Sequence, residues 1–491
     1  MAINNEYLKT EREQDWRAEL RASMKNKERT SLSRVHMNEV DPRERIRSNT
    51  EVNQGLTMAQ AVAEAHRCID CPTPTCMTGC PVEINIPKFV KYIEKEDFLS
   101  AAKTLKETSS LPAVCGRVCP QEKQCEANCF YTQKMNMPAV AIGYLERFAA
   151  DYERESGQMA VPETAPGNGI KVASIGSGPA GLTFAGEMAK LGYDVTVFEA
   201  LHEIGGVLKY GIPEFRLPNK IVDVEIDVLA RMGVRFETNF VAGKTATIDD
   251  LRDEGFSGFF VGSGAGLPRF MDIPGENYIG ILSSNEYLTR VNLMHAADPN
   301  SDTPIISGKN VAVIGGGNTA MDSVRTAKRL GAKRAIIIYR RSLEEMPARA
   351  EEIKHAQEEG IEFIMLTNPV EYLADEKGRV KQVRVQKMGL GAPDASGRRR
   401  PEPIEGSEYL IEVDSVVVSV GVSPNPIVPN SLPELHMTRW HTIEVNPDTL
   451  QSSIPDVFAG GDIVRGGATV ILAMGDGRKA AASMHQYLQE K

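Results

Sequence analysis

Residues 171–199 read KVASIGSGPAGLTFAGEMAKLGYDVTVFE, and this stretch decides the fold of the chain. The apolar run Ile170–Ile175 predicts a strand, Pro179–Leu191 predicts a helix, and Tyr193–Phe198 predicts the next strand. The turn Gly176-x-Gly178-x-x-Gly181 falls between strand and helix, which is the position that a dinucleotide fingerprint requires. Glu199 ends the second strand, where an acid binds ribose hydroxyls. We therefore predict a βαβ unit that binds a dinucleotide; the alternative is an ordinary glycine-rich turn.

A second βαβ pattern lies downstream, with strands at Val311–Ile314 and Ala335–Tyr339 and a helix at Thr319–Leu330. Its turn, Gly315-x-Gly317-x-x-Ala320, has the alanine that the fingerprint permits at its third position. The next strand ends in Arg340-Arg341, with Arg349 nearby, rather than in an acid. Arginine at this place accommodates the 2′-phosphate of NADP, whereas an acid favours NAD. The second unit is therefore predicted to bind NADP(H); the alternative is that these arginines are surface charge.

The two units are predicted to form an α/β fold of two Rossmann-like domains, one inserted in the other. Apolar strands within residues 258–266 and 416–421 end in glycine, and such strands commonly close a nucleotide domain or cross into its neighbour. The chain returns to the first domain at about residue 425 and ends with a strand at Val457–Asp462 and a helix near Arg478–Gln489.

The segment Ala459-Gly460-Gly461-Asp462 complements the first fingerprint. Asp462 can accept hydrogen bonds from ribityl hydroxyls, and the N-terminus of the following helix can stabilise negative charge on a reduced flavin. The first site is therefore assigned to FAD. For Asp462 the alternative is a helix cap without a ligand.

All eight cysteines lie upstream of these units. They read Cys68-x2-Cys71-x4-Cys76-x3-Cys80-Pro81 and Cys115-x3-Cys119-Pro120-x4-Cys125-x3-Cys129. Closely spaced thiolates bind iron–sulfur clusters or zinc, and a Cys-Pro ending is typical of ferredoxins, in which the last Cys binds the other cluster of a pair. Two zinc sites are the alternative. Because the nucleotide domains contain no cysteine, a dithiol relay is excluded and the flavin must exchange electrons with the N-terminal block.

The composition of the 491-residue chain is that of a soluble globular protein, with 25% charged and 42% hydrophobic residues. Its net charge of −10 disfavours nucleic acid as a partner. No apolar run reaches the ~18 residues of a membrane span, and the N-terminus has no apolar secretory region. We expect a cytoplasmic protein with reduced thiols and no membrane contact. The run Arg398-Arg399-Arg400 is predicted to be a solvated hairpin tip rather than a ligand site.

These patterns divide the chain into five predicted segments. They are a polar N-terminal arm (1–50), loosely packed or bound to a partner; a helical cluster domain (51–165); the first part of the FAD domain (166–300); the NADP domain (301–424); and the second part of the FAD domain (425–491).

Four motifs resemble the small subunit of bacterial glutamate synthase: Ile175–Leu182, Gly315–Asp322, Ala459–Arg465 and Leu111–Pro120. This resemblance runs from about residue 35 to the end, and the N-terminal part of dihydropyrimidine dehydrogenase is similar too. Three further stretches resemble more closely the large subunit of NADH-dependent reduced ferredoxin:NADP oxidoreductase: Tyr210–Pro218, Ser284–Met294 and Ala468–Lys479. That subunit carries FAD, two [4Fe-4S] clusters and an NADP site within an electron-bifurcating transhydrogenase.

The resemblance implies a ligand scheme for two [4Fe-4S] clusters. One cluster takes Cys68, Cys71, Cys76 and Cys129. The other takes Cys80, Cys119, Cys125 and the carboxylate of Glu146, which leaves Cys115 as a spare buried thiol. For Glu146 the alternative is a helix-surface carboxylate paired with Arg147 or another neighbour.

The predicted cofactor-binding residues follow from the motifs and the resemblance. For FAD they are Gly176, Gly178, Pro179, Ala180, Gly181, Glu199, Gly206, Asp462, Ala468 and Thr469. For NADP(H) they are Gly315, Gly317, Asn318, Thr319, Ala320, Arg340, Arg341 and Arg349. No catalytic side chain is predicted.

The resemblance implies hydride transfer between NADP(H) and FAD, and single-electron transfer through the clusters to or from a second redox subunit, with ferredoxin as a further partner. The alternative function is the small subunit of an NADPH-dependent glutamate synthase. It would need a large partner subunit, because residue 2 is Ala2 rather than a catalytic cysteine and no glutaminase domain is evident.

Overall fold

The computed structural model describes residues 5–491, and its α/β part is built on two parallel five-stranded sheets. The strands of the first sheet are, from edge to edge, Val457–Ala459, Phe256–Val261, Lys171–Ile175, Asp194–Phe198 and Arg235–Glu237. The helices of this domain are Pro179–Lys190, Val207–Tyr210, Asn219–Arg231, Ile248–Asp253, Ile427–Asn430, Asp462–Arg465 and Val470–Gln489. Its central strands are almost wholly buried, as expected for a parallel sheet covered by helices on both faces.

The second sheet has the strand order Glu362–Met365, Arg334–Tyr339, Asn310–Ile314, Ser415–Val418 and Ile281–Ser283. Its helices are Ser284–Asn292, Asn318–Arg329 and Ala350–Glu358, with a 3₁₀ turn at Leu343–Glu345. An antiparallel group of strands follows at Thr367–Ala374, Val380–Pro393, Arg399–Pro403 and Tyr409–Glu412. Where the chain crosses between the two domains, Leu267–Pro268 pairs with Val422–Ser423. The predicted fold class, two Rossmann-like domains with one inserted in the other, is confirmed.

The crossing into the second domain comes earlier than the predicted boundary at residue 300. Strand Ile281–Ser283 already pairs with Ser415–Val418 of the second sheet, and helix Ser284–Asn292 packs against Asn318–Arg329. A strand of three residues gives too short a pattern to be recognised by its periodicity, so the boundary was placed too late, although the Gly-ended strand within residues 258–266 comes directly before the crossing.

The last helix begins at Val470 rather than near Arg478. Thr469 caps it by accepting a hydrogen bond from the backbone N–H of Leu472. Glycines normally weaken a helix, but Gly475 and Gly477 permit close packing here. A Cβ on Gly475 would lie 2.9 Å from the carbonyl oxygen of Pro81, and one on Gly477 would lie 2.2 Å from that of Ala180. Tertiary contact therefore outweighs local propensity.

The cysteine-bearing domain is helical, as predicted. Its helices are Met58–Ala65, Thr75–Thr78, Ile86–Glu94, Phe98–Lys106, Pro112–Val118, Phe130–Met135 and Ile142–Glu155, with a 3₁₀ turn at Gln121–Lys123. Phe89, Leu105 and Leu145 are fully buried between these helices. Burial of such side chains stabilises the domain by about 1.5–3 kcal/mol each.

The N-terminal region packs on this helical domain, so the prediction of a loosely packed arm is wrong for the described residues. Its alternative, an arm bound to a partner, stays a prediction, and the first four residues lie outside the described part of the chain. The region comprises helices Asn5–Arg12, Asp15–Ser23, Asn26–Ser31 and Pro42–Arg45, and strand Asn38–Glu39 paired with Asn53–Gly55. Its anchors are the buried arginines Arg17, Arg29 and Arg45, which pair with acidic groups elsewhere in the chain. A reading based on apolar residues cannot detect anchors of this kind.

Within residues 5–491, no helix has both the length and the apolar character that a membrane crossing requires.

Candidate functional site

One continuous cavity of about 1740 Å³ extends between the turns of the two fingerprints. Twelve of the predicted nucleotide-binding residues line it. They are Gly176, Gly178, Pro179, Ala180, Glu199, Gly206, Asp462, Ala468 and Thr469 on the first side, and Gly317, Asn318 and Thr319 on the second. The cavity therefore reaches both fingerprint turns. The other predicted residues lie outside its lining: Gly181, Gly315, Ala320, Arg340, Arg341 and Arg349.

The glycines of the first fingerprint have different environments. Gly176 has a φ of +101°, a conformation that favours glycine. A Cβ on Gly178 would meet no atom within 4 Å, so this position faces the open cavity. A Cβ on Gly181 would lie 1.9 Å from the carbonyl oxygen of Gly176, beneath the turn. Gly178 therefore allows a ligand to approach the backbone, whereas Gly181 allows helix Pro179–Lys190 to approach the strand.

Glu199 is held in a fixed orientation at the end of its strand. One carboxylate oxygen accepts hydrogen bonds from the backbone N–H and the hydroxyl of Ser177, at 2.9 and 2.6 Å. The other accepts from the backbone N–H of Leu201 at 2.9 Å. Because the side chain is buried yet lines the cavity, its carboxylate is a preorganised acceptor for ribose hydroxyls.

Asp462 lines the same cavity. It accepts a hydrogen bond from the backbone N–H of Ala468 at 2.8 Å, and burial raises its pKa above the ordinary value. Behind it, Asp476 accepts from the backbone N–H of Gly461 at 2.9 Å and forms a bidentate pair with Arg465. The pair fixes the Gly460–Asp462 turn. Sequence reasoning missed Asp476, although its position in the Ala468–Lys479 stretch was a usable signal.

The second fingerprint has similar geometry. Gly315 has a φ of +140°, and a Cβ there would lie 2.2 Å from the carbonyl oxygen of Ser419. A Cβ on Gly317 would meet no atom within 4 Å, so this residue faces the cavity. Ala320 is fully buried beneath the turn. The side chain of Asn318 accepts a hydrogen bond from the backbone N–H of Arg349 at 2.8 Å, which fixes the start of the helix.

The three predicted arginines differ in what they contact. Arg340 is exposed and has no ion-pair or hydrogen-bond partner among residues 5–491. Arg341 is buried; it donates to the carbonyl oxygen of Arg399 at 2.8 Å and pairs with Asp394 at 2.7 Å. Arg340 is thus the arginine whose guanidinium is free to meet a phosphate.

Arg349 is buried between two domains. Its buried guanidinium donates to the carbonyl oxygen of Arg117 at 2.5 Å and to the side chain of Gln121 at 2.9 Å. Close by, Lys123 donates to the carbonyl oxygen of Pro347 at 2.9 Å. Arg349 therefore joins the second nucleotide domain to the helical domain.

Arg216 and Asp322 form a buried contact across the cavity wall that sequence reasoning missed. Both carboxylate oxygens of Asp322 accept from one guanidinium nitrogen of Arg216, at 2.8 and 2.7 Å. Arg216 also pairs with Glu352 at 3.1 Å. Burial raises the pKa of Asp322 to about 6, although Arg216 opposes the shift. The contact links the two nucleotide domains where both line the cavity.

Cys68, Cys71, Cys76 and Cys129 lie together around a small second cavity. Burial raises the pKa of Cys71 to about 12, and the neighbouring thiols Cys68 and Cys129 contribute to this shift. The wall between them is apolar, with Ile86, Val90 and Ile142 among its residues. Four thiols around one apolar space are a donor set that suits a thiolate-bound cluster.

Cys80, Cys119, Cys125 and Glu146 form the second group. Burial raises the pKa of Cys80 to about 12, and Glu146 and Cys119 act in the same direction. Burial also raises the pKa of Glu146 to about 8, and one of its oxygens has no hydrogen-bond partner among the described residues. Leaving a buried carboxylate oxygen unpaired is costly, so this atom fits a metal-ligand role.

The alternative for Glu146, a helix-surface carboxylate paired with Arg147, does not match the structure. Glu146 is buried, and Arg147 pairs instead with Glu51 at 3.0 Å and Asp151 at 3.2 Å. Cys115 is also buried, and its thiol lies 3.4 Å from the sulfur of Met474.

The second thiol group adjoins the large cavity. Val118 and Pro120, on either side of Cys119, line that cavity. Pro81, which follows Cys80, packs against Gly475 of the last helix. Nucleotide turns, cavity and thiols therefore meet in one region of the molecule.

Two nucleotide-binding domains, each built on a parallel sheet, together with a cysteine-rich helical domain define a pyridine nucleotide-dependent flavin and iron–sulfur oxidoreductase. Residues 170–477 match the family described as pyridine nucleotide-disulphide oxidoreductase, and residues 45–158 match the one described as dihydropyrimidine dehydrogenase domain II, 4Fe-4S cluster. The chain belongs to the glutamate synthase small-subunit family and is an NADPH-dependent flavin/iron–sulfur oxidoreductase.

Two relatives illustrate the range of this family. The NADPH glutamate synthase small chain of Azospirillum brasilense is 37% identical over 91% of this chain and 93% of its own. The NADP(+)-dependent formate dehydrogenase subunit beta of Moorella thermoacetica is 38% identical over a match that covers 85% of this chain and 60% of that protein. Among solved structures, FprA of Mycobacterium tuberculosis in complex with NADPH has a TM-score of 0.54 and 20% identity, over 66% of this chain and 85% of FprA. This last likeness concerns the fold alone.

Proposed function

We propose that this chain is an electron-transfer subunit that exchanges reducing equivalents between NADP(H) and a second redox subunit, using one FAD and two [4Fe-4S] clusters. The observation that carries the proposal is the large cavity, which joins both fingerprint turns and reaches the residues on either side of Cys119. A cavity of this extent supports adjacent sites for a pyridine nucleotide and a flavin, with a cluster beside them.

The first domain would hold FAD. Gly176 and Gly178 would let the backbone approach the pyrophosphate, with Gly181 allowing the helix to pack closely. Glu199 would accept hydrogen bonds from the ribose, and Asp462 from the ribityl chain. Pro179, Ala180, Gly206, Ala468 and Thr469 would complete the contact surface, since all five line the cavity.

The inserted domain would hold NADP(H). Gly315, Gly317 and Ala320 form its turn, and Asn318 and Thr319 begin the helix whose N-terminus attracts the pyrophosphate. Arg340 would bind the 2′-phosphate, and Arg341 would act through the Arg399–Pro403 hairpin that it contacts. In this proposal Arg349 holds the domains together and does not touch the nucleotide.

The helical domain would hold both clusters, with Cys80, Cys119, Cys125 and Glu146 at the one nearer the flavin. The other, at Cys68, Cys71, Cys76 and Cys129, would lie beside the exposed residues Pro72 and Thr73 and so near a partner. FAD, when bound, converts the two electrons of a hydride into single electrons that clusters accept. The protein's own contribution is to exclude water, fix the order of the sites and orient the nucleotides.

The proposal can be tested by cofactor analysis of the purified chain under anaerobic conditions. We expect one FAD and eight irons per chain, and bleaching of the flavin absorbance by NADPH. Zinc in place of iron, or four irons only, would contradict the two-cluster assignment. Full iron without FAD would instead contradict the assignment of the first fingerprint.

Two partners are in question, and each rests on a different observation. Three sequence stretches, among them Tyr210–Pro218 with Arg216, support a bifurcating partner that couples NADH, ferredoxin and NADP. The length match to the glutamate synthase small chain of Azospirillum brasilense supports a large glutamate synthase subunit.

Native co-purification separates the two partners. A tagged chain that brings down a flavin and iron–sulfur subunit and catalyses NADH-dependent, NADP-linked ferredoxin oxidation or reduction supports the first. A complex that oxidises NADPH only with glutamine and 2-oxoglutarate supports the second.

A further inference from the structure

The N-terminal helices bring arginines to the loop that connects Cys68 and Cys71. Arg12 donates to the backbone carbonyl oxygen of Asp70 at 2.8 Å. Arg17 and Arg21 pair with the two carboxylate oxygens of Asp70, the Arg21 contact being 2.9 Å long. These three cations come from two helices, Asn5–Arg12 and Asp15–Ser23, that no predicted motif of the chain includes.

A second set of cations reaches the same loop from deeper in the fold. Arg29 donates to the carbonyl oxygens of His66 at 2.8 Å and Cys68 at 3.5 Å, and pairs with Glu94 at 2.8 Å. Lys91 donates to the carbonyl oxygen of Cys68 at 2.7 Å. The loop that carries two of the four thiols is thus held largely by positively charged donors.

Asp70 explains why these cations are needed. It lies between Cys68 and Cys71, is fully buried, and has a φ of +50°. A buried carboxylate beside a thiolate-bound cluster adds negative charge where an electron must be accepted. Charges near a cluster, together with its hydrogen bonds and exposure, determine its reduction potential. Neutralising Asp70 therefore favours the reduced state.

We propose that the segment Asn5–Ser31 is a redox-tuning cap, in which Arg17 and Arg21 neutralise Asp70 and so raise the reduction potential of the cluster at Cys68, Cys71, Cys76 and Cys129. The inference rests on the proposed function, since it requires a cluster at these thiols. Arg17 and Arg21 act through Asp70 and are positioning residues. A cap that served only to anchor the N-terminus would hold the loop in place without affecting the potential through charge.

The test uses the full-length holoprotein and reads the midpoint potential of each cluster by EPR-monitored redox titration. Arg21→Gln is the primary variant, because Arg21 is partly exposed and its loss should leave the fold intact. We expect the signal of this cluster to shift to a more negative potential, while the signal of the cluster at Cys80 stays unchanged. Asp70→Asn should shift the same signal in the positive direction. The double variant should return it toward the wild-type value.

The matched control is Arg334→Gln, which removes one arginine from an exposed pair with Glu362 at the far edge of the second sheet. Both midpoints should match the wild type. The tuning proposal is overturned if Arg21→Gln and Asp70→Asn behave like this control, or if both shift the midpoint in the same direction. If the wild-type protein shows two cluster signals and neither variant shifts a midpoint potential, the tuning inference is overturned while the two-cluster proposal stands. A wild-type protein with four irons and one signal would overturn the two-cluster proposal as well.

Discussion

Replacing Arg340 with alanine should weaken the binding of NADPH while leaving that of NADH unchanged. The guanidinium of Arg340 is exposed and unpaired within residues 5–491, so removing it leaves no buried group without a partner. A hydrogen bond to a charged group is worth about 1.5–3 kcal/mol. Because 1.4 kcal/mol corresponds to a tenfold change, the expected loss is roughly 10- to 150-fold in NADPH affinity. Exposure to solvent favours the lower end of this range.

The matched comparison is Arg349→Ala, which removes a guanidinium of the same type from a buried interdomain contact. It would leave the Arg117 carbonyl and the Gln121 side chain without their donor. Each unsatisfied buried group costs about 1–3 kcal/mol, so we expect a clear fall in Tm. The ratio of NADPH to NADH affinity should stay near the wild-type value, because the buried guanidinium of Arg349 is already bonded to the Arg117 carbonyl and the Gln121 side chain.

The assay measures kcat/KM for NADPH and NADH with an artificial electron acceptor, together with Tm for each variant. Arg340→Ala should change the nucleotide ratio at constant Tm, and Arg349→Ala should lower Tm at constant ratio. The reasoning is refuted if Arg349→Ala lowers NADPH selectivity as much as Arg340→Ala while Tm is unchanged. Equal ratios for wild type and the Arg340→Ala, Arg341→Ala double variant would overturn the NADP assignment itself.

Three other variants give distinct outcomes. Gly178→Val should yield folded protein with full iron and little FAD, because the new side chain enters the cavity. Gly181→Val should disrupt the fold, because its Cβ would lie 1.9 Å from a carbonyl oxygen. Flavin content and circular dichroism distinguish the two variants. The Cys115→Ser variant should keep its full iron content. Glu146→Ala should alter one EPR signal without slowing the reduction of the flavin by NADPH. If Cys115→Ser loses a cluster and Glu146→Ala does not, the ligand scheme is wrong. Arg216→Met should leave Asp322 buried without its partner and raise its pKa above about 6. Since a carboxyl with a raised pKa in the folded state is destabilising once ionised, the loss of Tm should be greater at pH 8 than at pH 6, and the opposite order would show that Asp322 is not the cause.

The sequence predicted the nucleotide domains well because their signals are local. A glycine turn between an apolar strand and a helix is contained within about 30 residues, and each such turn in this chain lies where it was expected. The cysteine spacing likewise identified the block that holds the thiols. Prediction failed where the determining partner is distant in sequence. Arg17 and Asp70 are 53 residues apart, and Arg349 and Arg117 are 232 apart, so no local pattern shows that these side chains meet.

Glycine misled the prediction of the last helix for a related reason. Gly475 and Gly477 reduce helix propensity, and a local reading therefore begins the helix after them. These glycines are needed because two carbonyl groups pack closely against them. One is the carbonyl of Pro81, which follows Cys80, and the other is that of Ala180 in the first fingerprint helix. One helix thus approaches a predicted cluster ligand and the predicted flavin site at once. Such a contact is visible only when three distant segments are assembled.

The exchange of ligands between the two cysteine runs has a consequence for folding. The structure brings Cys129 of the second run to Cys68, Cys71 and Cys76 of the first, and brings Cys80 of the first run near Cys119 and Cys125 of the second. In the proposed ligand scheme neither cysteine run supplies all the ligands of one site, and the polypeptide between the runs must be folded before either site has four donors. Metal binding and folding are coupled whenever a site does not exist in the unfolded chain. With the proposed ligand scheme, residues 51–165 form one cooperative unit, and the loss of either cluster should destabilise the other.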